Sequence, residues 1–249
     1  MILQDKVAVV TGSSRGIGAA TARLLAAHGA RVTVNFLAGR EKGEQVLASI
    51  EKLGGKGILV QADVTDPGQV EAMIQQTADE LGPIDILVNN ANIHFPIKAF
   101  LEYTWDDFER KLTQEMKAVF HPCKAVAAGM AQRRQGCIVN VSSGLSRQPG
   151  LGFCAHSSAK SALDGFSRAL AQELGPHGIR VNVVAPGLTL TDATAGQPRE
   201  MLDSIAQHTP LRRVGHPEDV AGAVLFFCTD WAGFVSGAYL PVSGGIQLV

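Results

Sequence analysis

The chain has 249 residues, 46% hydrophobic and 18% charged, enough to bury one enzyme-sized core and short of the length that usually forces a second domain. Its formal net charge of -1 supplies no electrostatic pull toward nucleic acid or an anionic membrane, so a small molecule is the expected partner. No apolar run approaches the roughly 20 residues needed to span a bilayer, and Met1-Ile2-Leu3-Gln4-Asp5-Lys6 has no signal-peptide apolar core, so a cytoplasmic location is expected.

The first element is the apolar run Lys6-Val7-Ala8-Val9-Val10, which leads into Thr11-Gly12-Ser13-Ser14-Arg15-Gly16-Ile17-Gly18 and then an alanine-rich stretch. This pattern predicts a strand, a glycine turn and a helix start. In such a turn Gly12 bends the chain, Gly16 lets a pyrophosphate approach the backbone, and Gly18 lets helix and strand pack closely. The unpaired amides and the dipole of the helix start attract the anion.

Further strands are expected at Arg31 to Phe36, Gly57 to Gln61, Ile84 to Asn89, Gly136 to Ser142, Arg180 to Ala185 and Tyr239 to Val242, and helices beginning near Gly16, Arg40, Pro67, Trp105, Cys154 and Pro217. The alternation predicts a single α/β domain over residues 1–249, with a Rossmann-type doubly wound parallel sheet of about seven strands and helices on both faces. The long connection Leu188 to Pro210 is expected to be a substrate lid. Within it Thr194, Gln197, Arg199 and Met201 are candidates either to meet substrate or only to cap and solvate a helix. Cys123, Cys137, Cys154 and Cys228 contain no C-x-x-C pair, so they are expected to pack as small apolar side chains.

In this order the chain shows Thr11-Gly12-x-x-x-Gly16-x-Gly18, Asp63-Val64, Asn89-Asn90-Ala91, Ser143, Lys160, Pro186-Gly187 and Gly244-Gly245. The pattern resembles the short-chain dehydrogenase/reductase family across essentially the whole chain, with a layout similar to the 3-oxoacyl carrier-protein reductases. The resemblance implies an oxidoreductase of a small carbonyl or alcohol. It also implies that Asp63 and Val64 flank the adenine, Asn90 lines the cofactor cleft, and Pro186, Gly187, Thr189 and Thr191 hold the carboxamide end. Long helices such as those from Trp105 and Cys154 pair across subunits in family members, so a homotetramer or homodimer is expected.

Sites that prefer NAD place an acidic residue at the end of the second strand, where it bonds the ribose 2′-hydroxyl. Here that place holds Asn35-Phe36. Arg15, with help from Arg40, offers a guanidinium to a 2′-phosphate instead, so NADP(H) is favoured over NAD(H). The cofactor set is therefore Gly12, Ser14, Arg15, Gly16, Ile17, Gly18, Asn35, Asp63, Val64, Asn90, Lys160, Pro186, Gly187, Thr189 and Thr191.

The expected catalytic residues are Ser143, His156 and Lys160. In the family a tyrosine stands four residues before the lysine, and this chain has His156 there. Spacing of four on a helix puts His156 and Lys160 on one face, and imidazole titrates near neutrality, so proton exchange by His156 is expected. The imidazole reaches less far than a phenol by roughly 2 Å. The family asparagine falls at Glu115, in a Trp105–Phe120 segment longer than the usual pattern. A carboxylate there either protonates His156 or pairs with Lys160. Three readings follow: an NADP(H)-dependent oxidoreductase with an atypical Ser143/His156/Lys160 site; a non-redox isomerase, dehydratase or cyclase using His156 and Glu115 as acid and base; or an inactive NADP(H)-binding protein. His94 is a candidate to face substrate, whereas His121, His177, His208 and His216 are expected in loops or on helix surfaces. None has metal-ligand spacing, and no metal is expected.

Overall fold

The apolar runs pair in parallel because strands buried on both faces need crossover helices to cover them. The computed structural model describes residues 1–192 and 194–247. Among them seven strands form one sheet: β1 (Val7–Val10), β2 (Arg31–Phe36), β3 (Lys56–Gln61), β4 (Ile86–Asn89), β5 (Gly136–Val141), β6 (Ile179–Pro186) and β7 (Tyr239–Val242). Their order is β3-β2-β1-β4-β5-β6-β7, and every pairing is parallel. β1, β4 and β5 are buried along their whole length.

Helices α1 (Gly16–Ala27), α2 (Arg40–Lys52) and α7 (Pro217–Cys228) cover one face, and α3 (Pro67–Leu81), α4 (Trp105–Arg133) and α5 (Cys154–Leu174) cover the other. One core layer gathers Leu25, Val34, Ile50, Val139 and Val224; the opposite layer gathers Val9, Met73, Leu87, Val126, Ile138 and Leu163. Ala193, inside the expected lid, and the last two residues lie outside the described part.

Several strand ends differ from the sequence expectation: β3 begins at Lys56, β5 ends at Val141, and β6 spans Ile179–Pro186. The fourth strand begins at Ile86 rather than Ile84, because the Asp85 carboxylate accepts a hydrogen bond from the Val7 amide at 3.0 Å and fixes the strand entry with a side chain. The Leu188–Pro210 excursion contains a helix, α6 (Arg199–His208), with no fully buried residue.

The sheet order reverses between β1 and β4, which opens a crevice at the carboxyl ends of the strands. A buried polar chain holds α5 against that end: Asn89 Nδ2 donates to Asn140 Oδ1 at 2.8 Å, and Asn140 Nδ2 donates to Ser167 Oγ at 2.8 Å. β4, β5 and α5 are thereby locked in one register, and α5 lies against the turn that follows Ser143, where Ser161 Oγ donates to Ser146 O at 2.8 Å.

Candidate active site

The glycine turn is built by its neighbours. Gly12 adopts φ +60, and a Cβ there would lie 2.9 Å from Ala91 Cα. At Gly18 a Cβ would meet Asn90 Nδ2 at 2.4 Å and the Gly12 carbonyl at 2.6 Å. Arg15 is the N-cap of α1, and among the described residues no side chain caps that helix start. Its first amides are therefore open to an anion.

Asn90 and Asn35 both turn out to brace this loop. Asn90 Nδ2 donates to Thr11 O at 2.9 Å and Gly12 O at 3.1 Å. Asn35 is 1% exposed; its Oδ1 accepts from the Gly12 amide at 3.0 Å, and its Nδ2 donates to Ala62 O at 3.1 Å. Its side chain thus shapes the turn from below rather than facing a ribose. Asp63 accepts from Thr65 N and Oγ1 at 2.8 Å, an Asx turn at the end of β3, and Val64 is packed into the core. Ser14 and Ile17 are half-buried along the loop, and Arg15 is exposed.

At the end of β2, Arg40 lies 5.8 Å over the Phe36 ring and pairs with Glu44 at 3.5 Å. Lys42, which the sequence did not single out, pairs with Asp192 across the crevice. Pro186 and Gly187 follow β6, with the Gly187 amide bonded to Val242 O at 3.0 Å. Thr189 and Thr191 are held by Thr194, whose Oγ1 donates to Thr189 O and accepts from the Thr191 amide, both at 2.8 Å. Thr194 is thereby occupied in the loop itself. Thr191 lies over the glycine turn, where a Cβ on Gly16 would come within 3.3 Å of its methyl.

On the other side of the crevice α5 presents His156 and Lys160. Lys160 Nζ donates to Val141 O at 2.8 Å and forms an ion pair with Glu115 Oε1 at 2.7 Å. Glu115 Oε2 accepts from Lys111 Nζ at 2.6 Å and from the Ile93 amide at 3.2 Å. Lys111 Nζ also donates to Asn92 Oδ1 at 2.9 Å and Ile93 O at 2.8 Å. The side chains of Lys111 and Glu115 are 0% exposed and that of Lys160 is 4% exposed. Burial opposes the charge on Glu115, but the two ammonium groups outweigh it and hold the carboxyl at about 2. Burial lowers Lys111 to about 8, against the pull of Glu115.

Glu115 therefore pairs with Lys160, and does not protonate the imidazole. His156 stacks on Phe95 at 4.5 Å with 15° between planes, lies edge-on to Phe153 at 6.3 Å, and is 7% exposed. Burial, then the charges of Lys160 and Lys111, depress its proton affinity to about 3. Its Nδ1 is buried and has no hydrogen-bond partner among the described residues. The expectation that His156 exchanges the proton meets two obstacles: the ring stays neutral, and no group among the described residues recharges it through Nδ1. Ser143 closes β5 on an extended backbone, and its Oγ accepts from the Leu145 amide at 3.2 Å.

The sequence missed Lys111 and Phe95. Lys111 and Glu115 stand at i,i+4, a legible pair on a helix surface, but nothing in the sequence marks them as buried. Phe95 lies in a loop without periodicity. His94, His177, His208 and His216 are exposed and His121 is half-buried. Among the described residues no group of three or more His, Cys, Asp or Glu could hold a metal, and no helix is long and apolar enough to cross a membrane.

The family described as Enoyl-(Acyl carrier protein) reductase matches residues 12–247. The chain is 38% identical to a 3alpha-hydroxysteroid dehydrogenase from Mediterraneibacter gnavus, over 99% of each chain. It is 36% identical to the 3-oxoacyl-[acyl-carrier-protein] reductase of Escherichia coli, over 100% of each. Its fold matches that of levodione reductase with a TM-score of 0.92 at 29% identity, covering 98% of each chain.

Proposed function

The chain belongs to the short-chain dehydrogenase/reductase family and is an oxidoreductase of that type, and from this premise we propose that it interconverts a carbonyl and an alcohol on a small molecule with NADP(H). The observation that carries the proposal is Lys160, held between Glu115 Oε1 and Val141 O on the helix face that also bears His156. An ammonium fixed at the carboxyl end of β5 has one N–H left beyond its bonds to Val141 O and Glu115 Oε1, which can serve either a ribose or a reacting oxygen.

The glycine turn fits a dinucleotide: a Cβ at Gly12 or Gly18 would collide, and the first amides of α1 carry no side-chain cap. Gly12, Ser14, Arg15, Gly16, Ile17 and Gly18 would hold the pyrophosphate, braced from below by Asn35 and Asn90. Asp63 and Val64 would flank the adenine, and Pro186, Gly187, Thr189 and Thr191 the carboxamide. Arg15 is exposed on the glycine turn and Arg40 is exposed just after β2, whose end carries Asn35-Phe36 and no carboxylate, which supports NADP(H) over NAD(H), although Lys42 nearby is taken up by Asp192. Bound there, the cofactor would supply or accept a hydride.

Within this reading Ser143 Oγ orients the carbonyl oxygen. A neutral His156 donates a hydrogen bond from Nε2 and polarises the same oxygen without giving up its proton, since imidazole loses a proton from its neutral form with difficulty. Proton exchange, which the spacing assigns to His156, passes to the Lys160 ammonium. Leu188–Pro210, with α6, closes the cleft. The use of His156 and Glu115 as a non-redox acid–base pair is disfavoured, because both oxygens of Glu115 are engaged by cations. Leu112, Met116, Phe120 and Phe166 form an apolar groove on α4 and α5 that suits a homodimer or homotetramer; light scattering tests it.

The test of the activity is oxidation of NADPH by a panel of small carbonyls: diacetyl, ethyl acetoacetate and an acetoacetyl thioester. Turnover is expected for wild type and loss of it for Lys160→Met and His156→Ala. Product formation with no change in nicotinamide absorbance, or turnover unaffected by both substitutions, overturns the reading.

A further inference from the structure

The buried group beside His156 contains two ammonium ions and one carboxylate. Glu115 can neutralise only one of them, so the cluster carries a net positive charge out of contact with water. Such a charge persists only where hydrogen bonds satisfy it, and here they do. The three donors of Lys111 go to Glu115 Oε2, Asn92 Oδ1 and Ile93 O. No donor is left for a substrate, so Lys111 acts through its neighbours.

Those neighbours are the site. Through Glu115, Lys111 reaches Lys160, because one carboxylate is stretched between the two ammonium groups at 2.6 Å and 2.7 Å. Through Phe95, it reaches His156: Lys111 Nζ lies 4.8 Å from the Phe95 ring centre, and the same ring stacks on the imidazole. A cation on an aromatic ring holds the ring as well as the charge. The charged and titratable groups that face Lys111 are Glu115 on α4 and Lys160 and His156 on α5. The loop after β4 contributes the polar groups of Asn92 and Ile93.

We infer that Lys111 is a positioning residue of the active site, which fixes the Lys160 ammonium through the shared Glu115 carboxylate and keeps the His156 pocket electropositive toward an anionic cofactor and a developing alkoxide. The inference rests on the oxidoreductase reading. While Lys111 is charged, Glu115 is shared and Lys160 keeps donor capacity for the cofactor. When Lys111 is neutral, Lys160 is the one cation left on Glu115, the local charge falls, and Lys160 is drawn back. Burial places that change at about pH 8.

The experiment is a fluorescence titration of NADPH onto the full chain between about pH 7 and 9.5, a range chosen around the lysine transition. Wild type is expected to lose about tenfold in affinity across it. Lys111→Met is expected to bind with the weak, high-pH affinity at every pH, and Lys111→Arg with the tight, low-pH affinity at every pH. A merely structural role would weaken binding and leave the pH step in place. A step that survives in Lys111→Met, or that wild type lacks, overturns the inference. If wild type binds neither NADPH nor NADH, the oxidoreductase reading fails, and the lysine is judged on [ε-13C]lysine-labelled protein. There the Lys160 signal, assigned by its loss in Lys160→Met, must shift near pH 8 in wild type and stay in place in Lys111→Arg; an unmoved signal in wild type refutes the role. Circular dichroism verifies that each variant is folded.

Discussion

The Phe95 ring lies flat against the His156 imidazole, with centres 4.5 Å apart and planes inclined by 15°. This contact removes one face of the ring from water and, with Phe153 at its edge, makes the imidazole a packed aromatic group as much as a polar one. The folded protein therefore refuses a proton that the unfolded chain accepts: burial and the two lysines depress His156 from 6.5 to about 3.

A group depressed in this way contributes stability that is complete above the unfolded value and is lost as pH falls toward the folded one. The expected slope from His156 is about 1.4 kcal/mol per pH unit below about pH 6.5. Urea unfolding of wild type and His156→Phe between about pH 6.5 and 5.5, above the range in which the unfolded chain protonates Glu115, measures it. The variant should lack this component of the slope; equal slopes would show that His156 titrates normally.

Glu115→Gln removes the single negative charge between two buried ammonium groups. Breaking such a cluster by deleting one partner costs about 3–5 kcal/mol, which urea denaturation at pH 7 should register. The loss should shrink at higher pH, because Lys111 sheds its charge at about 8. A loss that is small at neutral pH would mean that water screens the cluster.

Gly18→Ala drives a methyl group to within 2.4 Å of Asn90 Nδ2 and 2.6 Å of the Gly12 carbonyl. Overpacking of this kind costs about 1–3 kcal/mol. Because Asn90 holds Thr11 O and Gly12 O, the loop must move, and NADPH titration should show weaker binding in step with a lowered Tm. Unchanged affinity would separate this turn from the cofactor.

Arg15→Ala and Arg40→Ala each remove a cation from the proposed 2′-phosphate site. A charge-assisted hydrogen bond is worth about 1.5–3 kcal/mol, so NADPH should bind about tenfold or more weakly in each variant while NADH is unaffected. Tighter binding of NADH than NADPH by wild type would reverse the cofactor assignment.

The alternation of apolar runs and amphipathic stretches was enough to give the parallel sheet, its seven strands and the helices on both faces, since buried parallel strands leave a period that local sequence records. The glycine turn was equally legible, because only glycine tolerates the close approach of Ala91 and Asn90. Asn35 was legible as a non-acidic residue but not as a brace: its partners, Gly12 and Ala62, come from two other segments.

For the site, the sequence determined which groups are present: a serine at the end of β5, a histidine and a lysine on one helix face, and a carboxylate where an amide is usual. Tertiary structure decided what those groups are. Whether Glu115 charges His156 or pairs with Lys160, and whether the imidazole is wet or packed, depends on the desolvation and field created by Lys111, Phe95 and Phe153. Proton affinities respond to burial and to charges a few ångströms away, and those distances are fixed only when α4, α5 and the loop after β4 close around the same point.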